Sequence, residues 1–88
     1  MPYYIAFNAD QSVTIGSAMQ PDALLPLFTI RDFTADELDR VSTVLALYTR
    51  SHKAHYVIFN QRRYLGEYFT VTAINNLLRA VYHGGEPV

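Results

Sequence analysis

The chain contains no cysteine in its 88 residues. Disulfide staples, thiolate nucleophiles, cysteine zinc sites and iron–sulfur clusters are therefore excluded, and nothing calls for an oxidising compartment. Glycine is scarce: the four residues are scattered at positions 16, 66, 84 and 85, so there is no glycine-rich loop to cradle a phosphate. Charge is sparse too, at 17% against 50% hydrophobic residues, a balance that belongs to globular and not to disordered chains. No apolar run approaches the ~18–20 residues of a membrane span, and neither end shows a basic segment followed by an apolar one. A soluble cytoplasmic protein is the expectation. Eighty-eight residues make a single domain, 1–88, and one this small buries only roughly 60–65% of its unfolded surface. Its apolar surface is thus of a size that a partner or a second copy would complete. The formal charge of −1 carries no nucleic-acid signature, but it is uneven. Residues 1–44 hold two Arg against six acids, and residues 45–88 hold five Lys/Arg against two acids.

What the sequence does hold is internal similarity. Tyr3-Tyr4-Ile5-Ala6-Phe7-Asn8 matches His55-Tyr56-Val57-Ile58-Phe59-Asn60 in apolar character, position by position. Phe33-Thr34 followed by Leu38, Val41 and Leu45 matches Phe69-Thr70 followed by Ile74, Leu77 and Val81. Each first member reads as a strand ending in a turn, each second member as a capped helix. Thr34 with Glu37 forms a capping box and Phe33 staples onto Leu38; Thr70 and Phe69 repeat the device, with Ala73 in place of the acid. Helices are expected over 35–50 and 71–83, apolar along one stripe each, the second closed by Gly84-Gly85. Hairpins are expected from strands 3–8 and 12–16 and from strands 54–60 and 63–69, turned at Asn8–Gln11 and Asn60–Arg62. The strand match has an offset of 52 and the helix match one of 36, so the first half carries an insert over about 17–32. There residues 22–25 suit a helical turn, and 27–31 suit a short fifth strand at the sheet edge. The expected architecture is α+β: a two-layer sandwich of an antiparallel four-stranded sheet with both helices on one face. It reads as a pseudo-duplicated ββα-ββα, with repeats 3–50 and 54–83. The core would comprise Ile5, Phe7, Leu38, Val41, Leu45, Val57, Phe59, Ile74, Leu77 and Val81.

No residue set names a chemistry. His52 and His55 form H-x-x-H at a loop-to-strand junction, where a separation of three sends the rings to opposite sides, so neither a metal nor a cofactor is expected. His83 suits the negative end of a helix dipole. Asp32, Asp36, Glu37 and Asp39 favour a helix start and solvent, with Asp32, Asp36 and Asp39 as a second candidate patch for a partner. Ser42, Thr43 and Ser51 lack both a base and a nucleophile elbow. The stronger feature is aromatic: seven tyrosines. If Ile5, Phe7, Val57 and Phe59 face the helices, Tyr4 and Tyr56 face away. Tyr64 and Tyr68 are expected to join them, with Arg62 and Arg63 beside them and Arg50 and Lys53 at the edge. Tyr4, Tyr56, Arg62, Arg63, Tyr64 and Tyr68 are accordingly the candidate partner-binding residues, since tyrosine supplies stiff contact area with a polar tip.

In its size, lack of cysteine, compact α+β plan and absence of catalytic motifs, the chain resembles the small accessory proteins carried by bacteriophages and prophages, among them inhibitors of host defence systems. The resemblance is of general character and rests on no motif. It implies a non-enzymatic, stoichiometric binder of a host protein complex, with self-association into a homodimer as a further expectation. The alternative is a small nucleic-acid-binding regulator that uses the Tyr/Arg sheet face. Two arginines make a thin phosphate-binding groove, and the ββαββα order differs from the βαββαβ order of the RNA-recognition fold.

Overall fold

The computed structural model describes residues 2–20 and 23–84. In chain order they form strands β1 (Tyr3–Phe7), β2 (Val13–Gln20) and β3 (Ala23–Ile30), helix α1 (Leu38–Arg50), strands β4 (Tyr56–Phe59) and β5 (Arg62–Leu65), and helix α2 (Val71–Gly84). Short 3₁₀ turns at Ala35–Glu37 and Gly66–Tyr68 precede the two helices. The strands make one sheet in the order β3-β2-β1-β4-β5. Both helices pack on one face, where Ile5, Phe7, Val13, Ile15 and Val57 meet Leu38, Val41, Leu45, Ile74 and Leu78 in one buried cluster. Phe33, Phe69, Phe59, Leu77 and Val81 close around it as partly buried neighbours.

The α+β class and the shared helix face agree with the sequence. The sheet has the fifth strand expected at its edge, but it is mixed where an antiparallel one was expected. β1 and β4 pair in parallel with Tyr4 opposite Tyr56, Ile5 opposite Val57, Ala6 opposite Ile58 and Phe7 opposite Phe59. Parallel neighbours need a long connection between them, and β2, β3 and α1 supply it. From this central pair the hairpins diverge, β2 to one side of β1 and β5 to the other side of β4. With both helices on the same face the two hairpins have opposite hand, and no rotation superposes them. The topology thus does not confirm the duplication.

The insert is strand, and longer than the expected residues 27–31. Residues 23–25, within the expected helical turn, lie in β3, and β2 runs on to Gln20 to pair with it. Asp22 lies outside the described residues. Pro26 fits because β3 is an edge strand, where a missing N–H costs least. Register shifts follow Ile15 and Ser17. At the other edge, β5 stops at Leu65 and not at 69. The Gly66 N–H donates to the His55 carbonyl at 2.8 Å, and a methyl group on Gly66 would overlap the Ala54 carbonyl. The chain crosses its own backbone there and turns away. The capping devices are present: the Thr34 N–H donates to the Glu37 carboxylate at 3.2 Å, and the Ala73 N–H donates to Thr70 Oγ1 at 3.1 Å. Ser42 Oγ donates to Asn75 Oδ1 at 2.7 Å and Arg79 pairs with Asp39 at 3.1 Å, tying α1 to α2.

Candidate functional site

The expected tyrosine face divides into three environments. Tyr4 does point away from the helices, but it is 5% exposed, packed with Ala6 and Ala18 and covered by Leu24, Tyr56 and Ile58. The β2–β3 irregularities explain this. Bulges bend and twist a strand pair, and a side chain at Gly16, opposite Tyr4, would strike the Tyr4 ring and the Leu25 carbonyl. Burial pushes the Tyr4 phenol above its usual pKa. Tyr56 is half-buried on the same face, with the Arg63 guanidinium 5.0 Å from its ring centroid. This pair is the part of the expected site that the structure brings together.

Tyr64 is on the opposite side from its expected position. It lies across from Val57, hence on the helix-bearing face, with its ring edge-on to Phe69 at 6.0 Å. The reason is the turn. The hairpin closes through two residues, Asn60 and Gln61, and Arg62 already pairs with Phe59; a one-residue change of register moves every following side chain to the other face. Arg63 and Leu65 take the outward positions, and Arg62 shares the face of Phe59 at the strand's exposed end. Tyr68 is 74% exposed, but in the 3₁₀ turn beyond the sheet. Asp32, Asp36 and Asp39 are all exposed near the start of α1, with Asp39 engaged by Arg79. His52 packs on Tyr48 and Tyr3 at 4.8 and 5.4 Å between ring centroids, and His55 on Tyr56 at 4.5 Å. The two imidazoles thus sit against opposite faces of the sheet. The His83 side chain and Gly85 lie outside the described residues.

Two surfaces went unread in the sequence. One is the β3 edge. Met19, Leu25, Leu27 and Phe28 are exposed by 67, 63, 54 and 40%, and Leu47 of α1 is exposed as well. Between β3 and α1 runs a groove of about 310 Å³ lined by Phe28, Ile30, Phe33, Val41 and Val44 together with Arg31, Glu37 and Arg40. The signal was available: residues 23–30 contain no ionisable side chain at all.

The other surface lies at the carboxyl ends of the parallel pair. Because β1 and β4 send their hairpins in opposite directions, their turns flank a cleft of about 480 Å³. Asn8, Gln11, Asn60 and Gln61 line it together with Phe7, Ile58, Phe59 and Val81. In doubly wound α/β sheets a divergence at strand carboxyl ends is where ligands bind, and the β1–β4 pair makes one such point in this hairpin-built sheet. The first turn is held by hydrogen bonds. The Asn8 N–H donates to the Ser12 carbonyl at 2.9 Å and the Gln11 N–H to the Asn8 carbonyl at 3.1 Å. Asn8 Nδ2 donates to Ser12 Oγ and Thr14 Oγ1, both at 2.9 Å. Asp10 accepts from the Ser12 hydroxyl and from the Ser12 N–H, and these bonds hold its carboxyl below the usual pKa. Gln11, Asn60 and Gln61 adopt left-handed backbone with φ of 68°, 56° and 63°.

Comparison of the chain with protein-family models, with curated proteins and with solved structures finds no match. Among the described residues no helix is long and apolar enough to cross a membrane.

Proposed function

We propose that the chain is a non-enzymatic protein-binding module, working as a phage-type accessory protein or inhibitor would, by occupying a partner protein's surface in stoichiometric amounts. The observation that carries this reading is the exposure of Leu25, Leu27 and Phe28 on β3 and of Met19 near the end of β2, Phe28 being also a wall of the β3–α1 groove. Contiguous exposed apolar surface rimmed by charge marks protein interaction sites. The occupant we assign is an apolar patch on another protein, docked through side chains. Main-chain strand addition is disfavoured on this edge, because Pro26 and the bulges are the devices that blunt an edge against pairing. The same devices argue against a homodimer that joins β3 to β3. Arg62, Arg63, Tyr56, Tyr64 and Tyr68 remain proposed contacts at the opposite edge, though not as one face. The nucleic-acid reading loses support, since a stacking platform needs a continuous row of exposed rings and Tyr4 and Tyr64 break that row.

The test is the double variant Leu25→Ser/Leu27→Ser. Both side chains are more than half exposed, so the thermal midpoint should move by only a few degrees. Quantitative affinity capture by wild type and variant in parallel should show a partner whose recovery falls at least tenfold in the variant. Equal recovery by both proteins sinks the β3 surface. Salt-sensitive retention on heparin, lost on Arg62→Ala/Arg63→Ala, would move the function to nucleic acid.

A further inference from the structure

The cleft at the carboxyl ends of β1 and β4 has two glutamines where backbone physics prefers other residues. Gln61 is the second residue of a two-residue hairpin turn in which both central residues have positive φ. That turn takes Asn first and Gly second. Asn60 obeys the rule; Gln61 does not. Gln11 holds the left-handed position of the other turn, where Gly or Asn is again the low-strain choice. Both glutamines line the same cleft. Left-handed non-glycine backbone also occurs outside the cleft, at Asp32 and Lys53; what sets the cleft apart is that both of its turns place a glutamine at such a position and both glutamines line it.

The geometry points to a binding site for an uncharged, extended peptide segment, its main chain held by the cleft's carboxamides and one apolar side chain seated over Phe59. A carboxamide offers an acceptor oxygen and two donor hydrogens, which complements the N–H and C=O of a peptide bond. The residues that line the cleft carry no ionisable group, so nothing in it selects a charged ligand. The volume of about 480 Å³ is that of a small-ligand site and suits one large side chain with its flanking peptide groups. This inference rests on the protein-binding reading and adds to it a second contact point, on different residues from the β3 strip.

The probe is the capped tripeptide acetyl-Ala-Leu-Ala-amide, titrated into ¹⁵N-labelled full-length protein, with adenosine and maltose as separate arms. The side-chain amide resonances of Gln11, Asn60 and Gln61 should shift saturably with the tripeptide, with Kd on the order of 1 mM for so small a ligand in an open cleft. Gln11→Gly and Gln61→Gly should each raise Tm, by about 2–5 °C, because the left-handed residue is relieved, and should weaken tripeptide binding at least fivefold. Asn60→Asp, which keeps the turn and removes an amide donor, should weaken binding with Tm unchanged. The inference is overturned if the tripeptide leaves these resonances unmoved at 10 mM, if adenosine or maltose shifts them instead, or if the glycine variants are less stable than wild type. Patch-dependent capture through Leu25 and Leu27 is read separately, so failure of the cleft and failure of the protein-binding reading are told apart.

Discussion

Replacing Tyr4 by alanine separates the two roles that a tyrosine-rich sheet face can have. The ring is 5% exposed and sits on Gly16, Ala6 and Ala18 under Leu24. With Tyr56 and Ile58 also over the ring, three of its six neighbours are glycine or alanine and cannot extend to fill a void. Truncating a buried aromatic to alanine costs about 3–5 kcal/mol, the upper part applying where the surroundings cannot collapse. An 88-residue domain at about 0.05–0.15 kcal/mol per residue has only about 4–13 kcal/mol in total. Tyr4→Ala should therefore remove about a quarter or more of the stability, and Tm should fall by more than ~12 °C at roughly 4–8 °C per kcal/mol. Tyr4→Phe keeps the ring and should cost under about 1 kcal/mol. Tyr68→Ala, at a site 74% exposed, should leave the urea midpoint unchanged. Urea titrations followed by circular dichroism give all three values. A cost under 1 kcal/mol for Tyr4→Ala would mean that the helix-free face is open and that Tyr4, Ala6 and Ala18 do not pack together under Leu24.

Leu78 is fully buried and Leu77 only partly, so Leu78→Ala should cost about 3–5 kcal/mol and Leu77→Ala roughly 1–2; the reverse ranking in the same titration would place α2 a residue out of rotation. The raised Tyr4 phenol gives an alkaline prediction. Its folded pKa lies above the unfolded value, so its contribution is fully present below about pH 10 and is lost as pH rises through the folded pKa, because the unfolded chain releases the proton first. Thermal melts from pH 8 to 11 should show a steeper alkaline fall in wild type than in Tyr4→Phe, and parallel curves would refute it.

The sequence disclosed the elements with local signatures and lost those set by distant contacts. The Phe-Thr starts and apolar stripes of both helices stand where periodicity and capping put them, since those devices act within one or two turns. The inward assignment of Ile5, Phe7 and Val57 likewise follows from alternation alone. β3 was half hidden because Pro26 and the lack of alternation in residues 23–30 obscure a strand that β2 pairing creates. The face of β5 was inverted because a three-residue turn and a two-residue turn differ by one residue, and register converts that into a change of side for Tyr64. Leu78 replaces Leu77 at the centre of its stripe by the same kind of small rotation. The burial of Tyr4 depends on bulges in a strand pair, which leave no mark in the pattern of apolar residues.

The internal similarity has a physical meaning that needs no duplication. Its strand offset, 52, is the register of the parallel pair: Tyr4 meets Tyr56, Ile5 meets Val57, and Phe7 meets Phe59. Neighbouring central strands in register share one environment residue by residue, helix cluster on one side and tyrosine cluster on the other, so matching apolar patterns arise from matching surroundings. The match then ends in Asn8 and Asn60 because both strands leave the sheet at the same level and must turn. A duplicated pair of identical hand would send both hairpins the same way, and one would block the other's edge. Divergence is what lets β1 and β4 lie side by side, and the same divergence parts the two turns and opens the cleft between Gln11 and Gln61.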